Sequence, residues 1–329
     1  MFTHTRIDSP HLAGSAWTVE RERDVFVFLP AGYGESTDHY ATTYLLHADG
    51  ETARSIVDPA TDGPRWHVPL EDVVAPVFGR RGVAPMIVVV PDGASTWGCG
   101  QWVDSPVSGH FESYVVNDVV AYVDEHFRTL ARPSSRGLFG YSSGGLGAWN
   151  IASRHPDVFA AAAVLSGDCD FEVLKSEIYG YFDSVWPEGP RGPNRENDLS
   201  CFVYAYAAAY SPNLDYPPHY VDLPIDFRTG DVREEVWRRW LDADPLHNWR
   251  SRCDGLRALR GLLIDVGVRD QHRFHWAWRR VSHALRDAGI THSFLENAGD
   301  HGGRTSERFQ VALEWLATVL VHEAGAGRP

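Results

Sequence analysis

The sequence predicts an α/β protein with a mostly parallel central sheet covered by helices on both faces. Three observations carry this. A glycine-framed serine, Gly140-Tyr-Ser-Ser-Gly144, follows a short apolar run and leads straight into a small-residue helical pattern, a strand–turn–helix context. Strand-like and helix-like segments alternate through the body of the chain. Several of the strand-like segments, such as 85–90, are continuous apolar runs rich in β-branched residues, as expected of strands buried on both faces.

Taken in order, 24–29 reads as a strand closed by the turn signal 30–34, and 43–47 as a second strand followed by Ala48-Asp49-Gly50. Residues 70–78 read as a short helix, and 85–90 as a buried strand ending at Pro91-Asp92-Gly93. Between 113 and 130, Val115, Val116, Val119, Val120, Val123 and Phe127 recur at helical spacing, with Asn117, Asp118, Asp124 and Glu125 on the other face. The serine's strand and its helix to about His155 come next, then a strand at 160–166. A strand at 261–267, a helix at 274–288 stopped by Gly289, a strand at 291–295 and an amphipathic helix at 306–322 complete the pattern. The tail 324–329 is expected to fray.

The segment 167–255 breaks this alternation. It is dense in Pro, Gly and aromatic residues, among them Tyr179, Trp186, Tyr204, Tyr206, Tyr210, Trp237 and Trp240. So long an excursion must carry structure of its own. It is expected either to cap a site at the strand C-termini, the favoured reading because ligands bind there in open α/β sheets, or to elaborate one flank of the sheet. The whole chain, 1–329, reads as a single domain that includes this insertion.

Composition narrows the function classes. With 43% hydrophobic residues and a formal net charge of −14, the chain reads as an ordinary acidic globular protein. It is not suited to nucleic acid or to an anionic membrane surface. Four cysteines without C-x-x-C spacing indicate reduced thiols and neither a zinc site nor a redox motif. The N-terminal residues lack the pattern of a signal peptide, no apolar run reaches the length of a membrane span, and a cytoplasmic location is expected. No metal and no cofactor are expected; the expected partner is a small molecule, and homo-oligomerisation is left open.

The chemistry follows from the serine. In a G-x-S-x-G elbow the glycines allow a turn so tight that Ser142 is lifted clear of the sheet at a helix N-terminus. A serine hydroxyl needs a base, and the base needs an acid to hold its tautomer. In elbow-bearing folds the chain order is Ser, acid, His. Asp270, three residues past the strand ending at Gly267, is the expected acid; an N-cap for the following helix or a surface ion pair are its competing roles. Asp265, inside the strand, is the weaker candidate. His301, in the glycine-rich loop 297–303, is the expected base. Two backbone donors are needed for an oxyanion: the N–H of Ser143, and that of Asp49 in the loop after the second strand, whose carboxylate must then point away. Trp97, Trp102, His275 and Trp276 are candidates for contact with substrate, with loop or helix packing as the competing reading; Asp104, Ser105 and His272 are weaker. His272 and His275 are spaced like metal ligands, but no third ligand is evident.

These residues resemble the esterase D-like branch of the α/β-hydrolases, with S-formylglutathione hydrolases, enterochelin and feruloyl esterases and antigen 85 acyltransferases. The matching pieces are Val27-Phe-Leu-Pro-Ala-Gly-Tyr33, Tyr44-Leu-Leu-His47, Ser105-Pro-Val-Ser-Gly109, Tyr122-Val-Asp-Glu-His-Phe-Arg-Thr-Leu130, the elbow with Gly145, Asp265-Val-Gly-Val-Arg-Asp270 and Gly299-Asp-His301. They cover roughly 20–170 and 255–320 in the family's order, and the likeness fades over the insertion. The resemblance implies an α/β-hydrolase fold, a Ser142–His301–Asp270 triad, and oxyanion donors at Asp49 and Ser143. Two departures stand out: Ala48 where the family often has Gly, and Tyr-Ser-Ser-Gly-Gly at the elbow where His-Ser-Met-Gly-Gly is common. The implied activity is hydrolysis of a carboxylic ester through an acyl-enzyme. Acyl transfer by the same groups is the alternative, and a non-catalytic binding protein a more distant one. The aromatic insertion suggests a bulky or aromatic ester.

Overall fold

A computed structural model of the protein describes residues 2–58, 60 and 69–323; the tail 324–329, expected to fray, lies outside the described residues. The main strands are β1 (Phe2–Asp8), β2 (Glu22–Phe28), β3 (Thr42–Leu46), β4 (Ile87–Pro91), β5 (Arg136–Tyr141), β6 (Ala161–Leu165), β7 (Gly261–Gly267) and β8 (Ser293–Asn297). They form one eight-stranded sheet in the order β1-β2-β4-β3-β5-β6-β7-β8. The β1–β2 and β2–β4 pairs are antiparallel and every later pair is parallel.

Strand side chains alternate between two cores, one on each face, as the period of two requires. On β3, Tyr44 and Leu46 enter one core and Leu45 the other. On β7, Leu262, Ile264 and Val266 enter the first and Leu263 the second. The first core is closed by the helices Ser143–Arg154 and Phe274–Asp287, whose Trp149 and Trp278 are fully buried with ring centroids 5.4 Å apart. The helices Leu70–Phe78 and Thr305–Val319 close the second through Val73, Val74, Val77, Phe309, Leu313 and Leu316. Each such large apolar side chain taken from water contributes about 1.5–3 kcal/mol.

Two elements differ from the sequence expectation. β1 was not anticipated: it is an edge strand whose only buried residue is Ile7, so it lacks the apolar run that marks inner strands. The last strand lies at Ser293–Asn297 rather than 291–295, because its register with β7 pairs Leu263 with Ser293 and Gly267 with Asn297. The helix read at 113–130 is a shorter one, with a π-helical stretch at Tyr114–Val119 between α-helical turns Phe111–Ser113 and Val120–His126.

The insertion folds into helices, including Lys175–Ser184, Asp198–Tyr210 and Glu234–Leu241. Its aromatic residues make a third core in which Phe171, Tyr181, Tyr206, Trp237 and Trp240 meet Val103, Val107 and Leu146 of the main body. All four cysteines are free thiols. Among the described residues no helix is long and apolar enough to cross a membrane, and no group of three or more His, Cys, Asp or Glu side chains is placed to hold a metal ion.

Candidate active site

Ser142 follows β5 with φ 55° and ψ −124° and stands at the N-cap of the helix Ser143–Arg154. That conformation costs a non-glycine residue about 1–3 kcal/mol, and the turn is held by close packing on either side. A Cβ on Gly144 would lie 1.9 Å from the Leu46 carbonyl oxygen, and one on Gly140 would lie 2.2 Å from the Gly144 carbonyl oxygen. Glycine is required at both positions so that helix, elbow and β3 can touch through backbone alone.

The loops after β7 and β8 bring the expected partners to this serine. His301 Nε2 lies 3.0 Å from Ser142 Oγ, and His301 Nδ1 lies 2.9 Å from Asp270 Oδ2. Asp270 is buried, and its other oxygen accepts the His272 backbone N–H at 2.8 Å. Burial acts to raise its carboxyl pKa, but the hydrogen bond and charge of His301, with the His272 N–H, hold it below the ordinary carboxylate value. Asp265 is not in contact with His301. It pairs with the buried Arg308, which also donates to the His301 carbonyl at 3.2 Å and to Ser166 Oγ at 2.9 Å. This pair braces the loop that carries the imidazole. The rings of Tyr141, His272 and Phe274 surround His301 at centroid distances of 5.1, 4.7 and 5.6 Å.

On the other side of Ser142, the loop after β3 carries Asp49. Its carboxylate accepts the Cys99 N–H at 2.7 Å. Burial is the main reason that its pKa rises to about 6, with the nearby Asp168 adding to it and the Cys99 N–H opposing it. The N–H of Ser143 lies in the first turn of its helix, where no intrahelical acceptor exists. Ala48, the residue before Asp49, donates its N–H to Glu51 Oε2 at 2.9 Å.

A cavity of about 470 Å³ opens over these groups, lined by Ala48, Asp49, Ser142, Ser143 and His301 from the main body and by Leu174, Leu199, Phe202 and Tyr206 from the insertion. Insertion residues thus form a wall of the cavity. Four sequence candidates do not line it. Trp102 is fully buried; its ring fills a slot that Gly93 and Gly147 leave open, and its Nε1 donates to the His47 carbonyl at 3.0 Å. Trp97 packs beside the insertion's core under the guanidinium of Arg195. His275 is buried on its helix, and Trp276 is exposed on the same helix against Arg279. Ser105 is likewise structural, its buried hydroxyl bonded to the Ala208 carbonyl at 2.5 Å, and Asp104 bonds Ser113. His272 does line the cavity.

Asp168 was missed by sequence reasoning. It lines the cavity with its Oδ1 3.3 Å from Ser142 Oγ and its Oδ2 3.3 Å from Ser143 Oγ, and it accepts a hydrogen bond from Tyr206. The available signal was its place in Ser166-Gly167-Asp168, directly past the C-terminal end of β6, where ligand-binding residues of open sheets gather.

Comparison with known proteins agrees with this architecture. Over 148 residues the chain is 30% identical to Esterase Rv1288 of Mycobacterium tuberculosis, a match that takes in 44% of this chain and 28% of that protein. The chain therefore spans under a third of that relative's length. A solved ferulic acid esterase superposes with a TM-score of 0.62 at 18% identity, covering 97% of this chain and 99% of that one. An S-formylglutathione hydrolase from Staphylococcus aureus does so with 0.61 at 14% identity, covering 96% and 98%. At those identities the likeness carries the α/β-hydrolase fold alone. The family model described as Putative esterase matches residues 16–314, and with that the chain belongs to this esterase family.

Proposed function

We propose that the protein hydrolyses a carboxylic ester through an acyl-enzyme, with Ser142 as nucleophile, His301 as general base and then acid, and Asp270 as the carboxylate that fixes the imidazole. The observation that carries this is the unbroken relay from Ser142 Oγ through His301 to the buried Asp270, at 3.0 and 2.9 Å. Asp270 holds the proton on Nδ1, which leaves Nε2 free to take the serine proton as Oγ attacks the ester carbon. The N–H groups of Asp49 and Ser143 receive the charge that develops on the carbonyl oxygen. His301 then hands its proton to the leaving alcohol, and a water activated by the same nitrogen releases the acid and frees Ser142.

Family membership supports this reading, as does the engagement of the Asp49 carboxylate by the Cys99 N–H. The apolar wall formed by Leu174, Leu199 and Phe202 suits an ester with an apolar or aromatic portion. Ser142→Ala is expected to lower turnover of a short-chain chromogenic ester by on the order of 10⁴-fold or more. It should also abolish labelling by a fluorophosphonate. Retention of either property would overturn the assignment.

A further inference from the structure

Resting on that reading, we infer that Asp168 selects the substrate: the site takes an ester whose acyl part carries an ammonium group on the carbon next to the scissile carbonyl, an aminoacyl ester. Three observations converge on this residue. Its Oδ1 is 3.3 Å from Ser142 Oγ and its side chain is only 3% exposed. An ester formed on Oγ places the substituent of the next carbon about 3 Å from that oxygen by ordinary bond lengths, within hydrogen-bond reach of Oδ1. The second observation is the kind of partner that Asp168 has. Tyr206 and Ser143 donate to Oδ2, and among the described residues no Arg or Lys forms an ion pair with it. A carboxylate so deeply buried is costly to hold without a cation, and burial raises its pKa although Tyr206, His301 and His272 act to lower it. A substrate ammonium is the missing counter-charge.

The third observation is the rest of the cavity wall. Among the described residues, Asp49, Glu51, Glu177 and Asp198 border it with Asp168, no Arg or Lys does, and the basic side chains are the imidazoles of His272 and His301. An acyl group bearing a carboxylate meets like charge there, whereas an ammonium does not. No proton needs to move in this contact: the ammonium donates to Oδ1 while the Oγ–carbonyl bond forms and breaks through His301 as before. A site built around a buried polar partner also rejects the analogue that lacks it, because the partner is then left unmatched.

The test compares L-alanine benzyl ester with benzyl propionate, which lacks the amine, and with N-acetyl-L-alanine benzyl ester, which keeps the α-nitrogen without its charge. Release of benzyl alcohol is followed at a pH where the free amine is protonated. The wild type is expected to favour the ammonium ester in kcat/KM by at least about tenfold over both others, and Asp168→Asn is expected to bring that ratio to about one. Equal kcat/KM for the three esters in the wild type, with turnover that Ser142→Ala abolishes, overturns this inference and leaves the serine hydrolase reading standing. No turnover of any ester, together with no fluorophosphonate labelling, overturns the reading beneath it as well. Should Asp168→Asn fail to fold, the wild-type ratios decide alone. An unchanged ratio in a folded Asp168→Asn variant refutes the role of Asp168.

Discussion

Replacing Asp270 with Asn separates the carboxylate's charge and hydrogen-bond pattern from its shape. Asp270 Oδ1 is already engaged by the His272 N–H at 2.8 Å, and only Oδ2 faces His301 Nδ1, at 2.9 Å. An Asn side chain keeps its carbonyl oxygen toward the His272 N–H, since its NH₂ group cannot accept there. Its NH₂ is thereby aimed at Nδ1, which must now accept. The ring proton moves to Nε2, and the nitrogen that faces Ser142 Oγ at 3.0 Å becomes a donor that cannot take the serine proton. Loss of the general base in this way costs about 10⁴-fold in kcat, equivalent to about 5 kcal/mol of barrier. Because Asp270 lies behind the imidazole and outside the cavity lining, KM should change little. The assay is steady-state hydrolysis of a short-chain p-nitrophenyl ester, with thermal unfolding to establish that the variant is folded. A folded variant that retains more than a tenth of wild-type kcat would refute the tautomer mechanism and with it the role given to Asp270.

Three further outcomes follow from the same geometry. Gly144→Ala drives a methyl group to 1.9 Å from the Leu46 carbonyl oxygen; it should cost about 1–3 kcal/mol or more in chemical denaturation, and a neutral result would contradict the close packing of the elbow. Arg308→Met leaves Asp265 as an unpaired buried carboxylate and should destabilise by about 3–5 kcal/mol. The double variant with Asp265→Leu should recover much of that loss, and a double-mutant cycle with no coupling would show that the pair does not brace the His301 loop. For Asp49, whose folded pKa is raised to about 6 from an ordinary value of 3.8, the folded chain binds the proton more tightly than the unfolded chain. Stability therefore falls as pH rises from about 4 to 6, by at most about 3 kcal/mol. Asp49→Asn should flatten that decline in unfolding curves measured across the window; an unchanged slope would show that the carboxyl is not strained by burial.

The arrangement around Ser142 was legible because each piece is announced locally. The elbow needs glycines at 140 and 144, the acid follows the end of one strand and the histidine follows the next, and all three constraints act within a few residues of chain. The same local logic found the inner strands, whose apolar runs reflect burial on both faces. It did not find β1, where an edge strand with one buried residue carries no such run. It also misjudged Trp102. A tryptophan in a loop past a strand end resembles a ligand-facing ring, and only the slot left by the nearby Gly93 together with the distant Gly147 turns it into core.

Short-range signals, periodicity and turn chemistry, were thus enough for the α/β architecture, the inner strands and the positions of Ser142, Asp270 and His301 at strand ends. Long-range packing supplies the rest of what surrounds the serine. Asp168 from the end of β6, Tyr206 and Phe202 from a helix of the insertion, and His272 from the turn beyond Asp270 meet in one cavity only after the third core has docked the insertion onto Val103, Val107 and Leu146. Contacts between residues tens of positions apart leave no periodic trace in the chain, and those contacts are what give the cavity its acidic wall.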